Sequence, residues 1–204
     1  MEIEILVRAK ELFSRYGLRP VTMDDIAKEL SVSKKTLYKF FANKEELVAQ
    51  VVDKVFDSIK TRMLEQLDGD GNAIDMLFAM DDVVCENIEA HDHSMQFQLE
   101  RYYPEVFAEL EIKRRDIVYT MMEANIKKGK AEGIYREELD ADVVAFLYYA
   151  RARTMTEADL HFLKDRPMRD LMREILIYHV RGIANEKGVA YLEEKLKTTT
   201  KIPS

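Results

Sequence analysis

Apolar residues recur along this chain with a helical period almost throughout, and the alternation expected of strands is nearly absent. In the first segment Ile5, Leu6, Ala9, Leu12 and Phe13 fall on one face, with Gly17 as the stop and Pro20 marking a turn. Three helix starts then share one grammar. Thr22 is an N-cap with Asp25 at N3, and Val21 and Ile26 are spaced as a hydrophobic staple. Ser33 is the next N-cap, with Val32 and Leu37 as its staple, and Asn43 is the third, with Glu46 completing a capping box. Caps at 22, 33 and 43 predict two short helices, 23–30 and 34–41, before a longer one from 44 to 66. The link Ser31-Val32-Ser33 is only three residues, which is the arrangement of a helix-turn-helix.

The longer helix carries a stripe through Leu47, Val48, Val51, Val52, Val55, Phe56 and Ile59, and the polar, glycine-containing run 68–72 ends it as a linker. Beyond it the pattern predicts helices over 73–90 and 94–102, with a break at 91–93. Another starts with Pro104 at N1 and reaches Lys128, where Gly129 and Gly133 punctuate the chain. Asp140 caps the next, with Leu139 and Val144 as staple. Pro167 opens the last long helix, whose stripe runs through Met168, Leu171, Met172, Ile175, Leu176, position 179 and Ile183. Residues 186–204 add a short helix through Leu196 and a frayed tail. The fold class is therefore all-α. An N-terminal three-helix helix-turn-helix domain, residues 1–46, precedes a larger helical domain, residues 47–204.

Composition narrows the function. Of 204 residues, 47% are hydrophobic and 34% charged, a globular balance. No apolar run approaches the roughly 20 residues a bilayer span needs. The acidic opening Met1-Glu2-Ile3-Glu4-Ile5 lacks the basic start of a secretion signal, so a cytoplasmic location is expected. A single cysteine, Cys85, permits no intrachain disulfide. The net charge of −7 argues against a polyanion partner until its distribution is considered. Residues 1–44 hold nine Lys or Arg against six Asp or Glu, a net of +3, which leaves −10 for the rest. A basic head on an acidic body suits nucleic acid at one end only.

A recognition helix enters the major groove with its N-terminal residues near base edges and phosphates, so it needs polar and basic residues outside and apolar anchors behind. Ser33-Lys-Lys-Thr-Leu-Tyr-Lys-Phe-Phe41 meets each requirement. Leu37, Phe40 and Phe41 are expected to face Ile26, Leu30 and Val32, with Ala27 small where two helices cross. Ser33, Lys34, Lys35, Thr36, Tyr38 and Lys39 are left for DNA.

The ordered motifs Phe13-x-x-x-Gly17, Thr22-x-x-x-Ile26-Ala27, Val32-Ser33-x-x-Thr36-Leu37-Tyr38-x-x-Phe41 and Lys44-Glu45-Glu46-Leu47 resemble the DNA-binding domain of the TetR family of bacterial regulators. The resemblance implies a phosphate contact for Thr22 and for the Tyr38 hydroxyl. It implies groove positions for Lys34, Lys35, Thr36 and Lys39, and a flanking backbone contact for Lys44. Two departures stand out. Ser31 occupies a position commonly held by glycine, and Lys35 one commonly held by a small residue. The resemblance further implies a homodimer on a palindromic operator, repression as the usual mode, and a small-molecule effector of the body. The dimer would form through the helices at about 140–160 and 167–185, with Phe146, Tyr149, Arg153, Leu171, Ile175 and Tyr178 as candidate contacts.

Aromatic and soft apolar residues supply candidate effector-binding surface: Met95, Phe97, Tyr102, Tyr103, Tyr119, Met121, Met122, Tyr148 and Met155. Arg151 and Arg153, on a largely apolar helix, could bind an anionic ligand, pair with acidic neighbours or face a dimer partner. His91-x-His93, with Glu89 and Asp92 nearby, matches no strong metal template, so no metal and no cofactor is expected. Cys85 reads either as a redox sensor or as a buried inert thiol. Two alternatives remain open: a helical metal-dependent enzyme with a basic flank, and a DNA-binding regulator with no small-molecule ligand. The chain offers the first no nucleophile–base arrangement, no phosphate-cradling glycine loop and no Glu-x-x-His pair.

Overall fold

The computed structural model describes residues 1–90, 93–154 and 166–199. In chain order the helices are α1 (Glu2–Tyr16), α2 (Met23–Glu29), α3 (Lys34–Leu37), α4 (Lys44–Glu65), α5 (Ala73–Ala90), α6 (His93–Tyr102), α7 (Pro104–Ala131), α8 (Ala141–Thr154), α9 (Met168–Ile183) and α10 (Glu186–Thr199). One 3-10 turn, Gln66–Asp68, follows α4. Among the described residues no strand forms; the sole β feature is an isolated bridge between Tyr135 and Ala184. No helix among them is long and apolar enough to cross a membrane.

The chain divides into two compact units: residues 1–60 with 87–114, and residues 61–86 with 115–204. In the first, Ile5, Leu6, Ala9 and Phe13 on α1 bury the face that the periodicity marked. Gly17 ends the helix at φ 88°, and its amide donates to the Phe13 carbonyl at 2.8 Å. Ile26 and Ala27 of α2, Leu37 of α3, Phe41, and Leu47 and Val48 of α4 complete the interior with Leu99 of α6.

The caps form with one change. Thr22 and Asp25 close a reciprocal capping box on α2, and the Ser33 side chain accepts from the Thr36 amide. Asn43 Oδ1 accepts from the Glu46 amide at 2.8 Å, but Glu46 Oε2 accepts from the amide of Ala42, not of Asn43, at 2.7 Å. The helix expected over 34–41 is α-helical only over Lys34–Leu37. Past it the backbone tightens, with Lys39 N donating to Thr36 O and Phe40 N to Leu37 O. Leu37 and Phe41 are buried, whereas Phe40, expected inside, is half-buried. At the turn, Ser31 has φ 55°, the left-handed region that glycine enters freely.

In the second unit Ile74, Leu77 and Met80 of α5, Met121, Met122 and Ile126 of α7, Tyr148 of α8, Leu176 and Val180 of α9 and Leu192 of α10 form the interior. Gly129, expected to punctuate α7, does not stop it: the helix runs on to Ala131, and Gly133 at φ 68° makes the turn. The reason is packing. The Tyr135 ring lies on Gly129, where a Cβ would collide with ring carbons Cδ2 and Cε2. The Tyr135 hydroxyl donates to Asn125 Oδ1 at 3.0 Å, and Asn125 Nδ2 donates to the Ala73 carbonyl at 2.7 Å. Asn125 and Tyr135 are almost fully buried, so this chain of bonds satisfies groups with no access to water. Asp140 caps α8 through Oδ1, which accepts from the Asp142 and Val143 amides. The C-terminal helix is longer than expected, reaching Thr199.

Two substitutions test these turns. Gly129→Ala forces the Tyr135 ring out of place and should destabilise the protein by about 1–3 kcal/mol, read from the urea midpoint. Ser31→Gly relieves a left-handed non-glycine residue and should stabilise by about 0.5–1 kcal/mol, with the denaturant slope unchanged.

Candidate functional site

Two features of α3 make it presentable to a ligand. It is anchored from behind by Leu37 and Phe41, both with no exposed surface. Its N-terminus is capped by Ser33, whose Oγ accepts from Thr36 N at 3.0 Å and lies 2.8 Å from Thr36 Oγ1. The outward residues are not equivalent. Lys34 Nζ pairs with Asp24 Oδ1 at 2.7 Å, and that bond holds its ammonium above the ordinary lysine range. Lys35 and Lys39 are exposed, and among the described residues the ion pairs of this unit engage neither. Tyr38 is exposed with the Lys34 ammonium 6.0 Å from its ring centre, and Thr36 is half-buried.

Thr22 and Lys44 carry internal duties. The Thr22 hydroxyl donates to Asp25 Oδ2 at 2.6 Å and accepts from Asp25 N at 3.2 Å. Those bonds hold the Asp25 carboxyl below its ordinary range. Lys44 Nζ donates to the Arg19 carbonyl at 3.1 Å, and partial burial draws its ammonium below the usual lysine value.

Sequence reasoning missed the bracing of the turn between α1 and α2. The Arg19 guanidinium lies over the Tyr102 ring at 5.0 Å, and its Nη1 donates to the Tyr102 hydroxyl at 3.1 Å. The Arg19 amide donates to Gln98 Oε1 at 3.1 Å. Nothing in the local pattern around Arg19 signals partners so far along the chain.

The expected effector-binding residues separate between the two units. Met95 and Tyr103 are half-buried and Phe97 and Tyr102 exposed, all in the first unit. In the second, Met121, Met122 and Tyr148 are buried and Tyr119 is half-buried. Met155, and the side chains of Arg153, Glu89, His91, Asp92 and His93, lie outside the described residues. Among those described, no group of three His, Cys, Asp or Glu could hold a metal ion.

Arg151 reaches into the second unit. Its side chain is 12% exposed, its Nη2 lies 3.4 Å from Oδ1 of the fully buried Asp81, and its guanidinium sits 4.2 Å over the Tyr148 ring. The sequence pattern around Asp81 does not signal its burial, yet it shares a buried helical row with Leu77 and Cys85 at four-residue spacing. Cys85 is the inert kind of thiol. It is 2% exposed, lies 3.6 Å from Met172 Sδ, and burial pushes it up to about 11.

Four exposed apolar residues of this unit lie on α8 and α9, with Tyr191 of α10 a further one. Val143, Phe146 and Leu147 lie one helical turn apart on the face of α8 opposite buried Val144, Ala145 and Tyr148, and Tyr178 of α9 is 82% exposed. Leu171, expected at a dimer interface, is instead buried in the unit's own interior. Tyr149 and Ile175 are half-buried.

Comparison with known proteins agrees with this geometry. The profile described as bacterial regulatory proteins, tetR family, matches residues 5–51. The repressor KstR2 of Mycobacterium tuberculosis, described as an HTH-type transcriptional repressor, is 28% identical over 145 residues, spanning 69% of this chain and 72% of its own. Its solved structure, described as a ketosteroid transcriptional regulator, aligns over 91% of this chain and 95% of its own, with a TM-score of 0.59 and 25% identity. A putative transcriptional regulator from Saccharomonospora viridis, solved in complex with choline, aligns over 91% and 98% with a TM-score of 0.74 and 21% identity. With α2 and α3 joined by a three-residue turn and a profile match over residues 5–51, the head of the chain is similar to the DNA-binding domain of the bacterial regulatory proteins of the tetR family, and the KstR2 repressor resembles the chain along most of its length.

Proposed function

We propose that the protein is a repressor that binds a palindromic operator as a homodimer and is released by a small molecule bound in its C-terminal part. DNA binding is the work of residues 1–46, and residues 47–204 carry the effector site and the dimer contacts. It acts by binding, in the cytoplasm where the DNA is, and not by catalysis. The observation that carries this reading is the pairing of Lys35 and Lys39, exposed and free of ion pairs among the described residues, with the buried anchors Leu37 and Phe41 on the same short segment. Thr22, Ser33, Lys34, Thr36, Tyr38 and Lys44 complete the DNA-facing set. The binding of choline by the Saccharomonospora viridis neighbour supports an effector site in a body of this fold.

Selection of bound DNA from a random library supplies the operator on which this is tested. Lys35→Ala and Lys39→Ala should each weaken operator binding, and each lost phosphate contact should lower the salt slope of log K by about 0.9. Lys34→Ala should cost less than either, because its ammonium is already paired with Asp24. Unchanged affinity in the Lys35→Ala, Lys39→Ala double variant would remove α3 from the DNA interface.

A single head reads few base pairs, whereas two heads about 34–36 Å apart read a palindrome. The exposed residues Val143, Phe146, Leu147 and Tyr178 make a self-complementary apolar surface the natural means of pairing two copies. Phe146→Asp with Leu147→Asp should shift the sedimenting species from dimer to monomer. A wild-type protein that sediments as a monomer at micromolar concentration would refute the pairing.

A further inference from the structure

The second unit buries a group of polar side chains that neither DNA contact nor dimer pairing uses. Asp81 of α5 is fully buried, and its contact with Arg151 of α8, at 3.4 Å, is at the long end for a hydrogen bond. The Arg151 guanidinium covers one face of Tyr148, and the ring of His179 on α9 meets Tyr148 edge-on at 5.2 Å. Arg173, also on α9, directs its Nη2 to Asp82 at 2.5 Å and lies 4.6 Å over Phe78.

What sets this group apart is its unmet hydrogen bonding. Nη1 of Arg151, Nη1 of Arg173 and Nε2 of His179 are buried and have no hydrogen-bond partner among the described residues. A guanidinium N–H can only donate, and a neutral imidazole donates from whichever nitrogen carries its proton. Burial, then the Arg151 charge, pushes His179 down to about 4, so it is neutral near pH 7 and its Nε2–H form can donate. Asp81 is a poor counter-ion for all this. Burial raises its carboxyl above the ordinary range against the pull of Arg151 and Arg173. Three buried donors stand unanswered among the described residues, and apolar surface adjoins them: Phe78 under Arg173, the Tyr148 ring under Arg151, and Met172 beside Cys85. An acceptor-only group on an apolar body is the chemical complement.

We propose that this cluster is an anion-binding site that takes the carboxylate of a small amphiphilic molecule, with Arg151 Nη1 and His179 Nε2–H as donors and the charge of Arg173 adding to the attraction. The ligand's carboxylate displaces Asp81 from the guanidinium. This deepens the reading of an effector-released regulator by naming the effector's chemistry, and it rests on that reading only for its consequence at DNA.

The test uses the full chain and two readouts, thermal denaturation and calorimetric titration. Straight-chain carboxylates from acetate to decanoate are the probes, with decanol as the uncharged control. Saturable stabilisation is expected from one or more carboxylates and none from the alcohol. Arg151→Met should weaken that binding at least tenfold. Replacing a buried ion by an apolar chain of similar size is commonly tolerated, and circular dichroism reports whether the fold is kept. Asp81→Asn provides a second, independent arm. It preserves shape, removes the competing carboxylate and should strengthen binding several-fold. Two results overturn the proposal: no carboxylate stabilising either the wild type or Asp81→Asn, or Arg151→Met binding as tightly as the wild type. Operator binding is measured separately on ligand-free protein. Its failure would count against the regulator reading, while the carboxylate titration would still decide the anion site by itself.

Discussion

Everything the head can do depends on the burial of Leu37 and Phe41. A helix of four residues has no stability of its own, because nucleation costs more than so few hydrogen bonds return. What holds Lys34–Leu37 in helical form is the apolar contact behind it and the Ser33 cap in front. Ile26 and Ala27 of α2 are buried in the same interior, and the small alanine side chain permits close approach. The lysines beside these anchors are therefore aimed by groups that never meet solvent. Removing an anchor would disperse the charges without altering one of them.

The second layer of support is polar. Arg19 is gripped through its amide by Gln98, through its carbonyl by Lys44 and through its side chain by Tyr102. The compact unit that contains the head thereby takes in α6 as well as α1 to α3. A module of some 45 residues buries too little surface to be secure alone, and α4 and α6 supply what it lacks. In the other unit the same need is met by a wholly internal relay, in which Tyr135, Asn125 and the Ala73 carbonyl satisfy one another. The Arg151 cluster departs from that pattern, since three of its buried nitrogens go unanswered among the described residues.

Much of this was legible in the sequence because it is local. Caps, staples and the three-residue link are written in adjacent residues, and the helices begin where Thr22, Ser33 and Asn43 place them. The apolar period of α1 likewise names its buried face. Reading failed where meaning depended on a distant partner. Gly129 looked like a stop because glycine usually is one, yet the Tyr135 ring makes it a seat. The type of Tyr102 says nothing of the partner its hydroxyl has in Arg19. Asp81 was invisible because an acidic residue in a helix is ordinarily solvated, and only the burial of its whole helical row makes it exceptional. The outward polar residues around α3 are readable from the sequence as a set, but not their inequality, since the pairing of Lys34 with Asp24 crosses from one helix to the next.

The bond from Lys44 to residue 19 ends on a main-chain oxygen, and that has an evolutionary corollary. Every amino acid carries such an oxygen, so drift at position 19 can abolish the contact with Tyr102 and still leave the lysine its acceptor. The reverse does not hold, because few side chains combine Lys44's reach with its ability to donate. The two ends of one hydrogen bond thus tolerate change very unequally, and related sequences should vary far more freely at the first position than at the second.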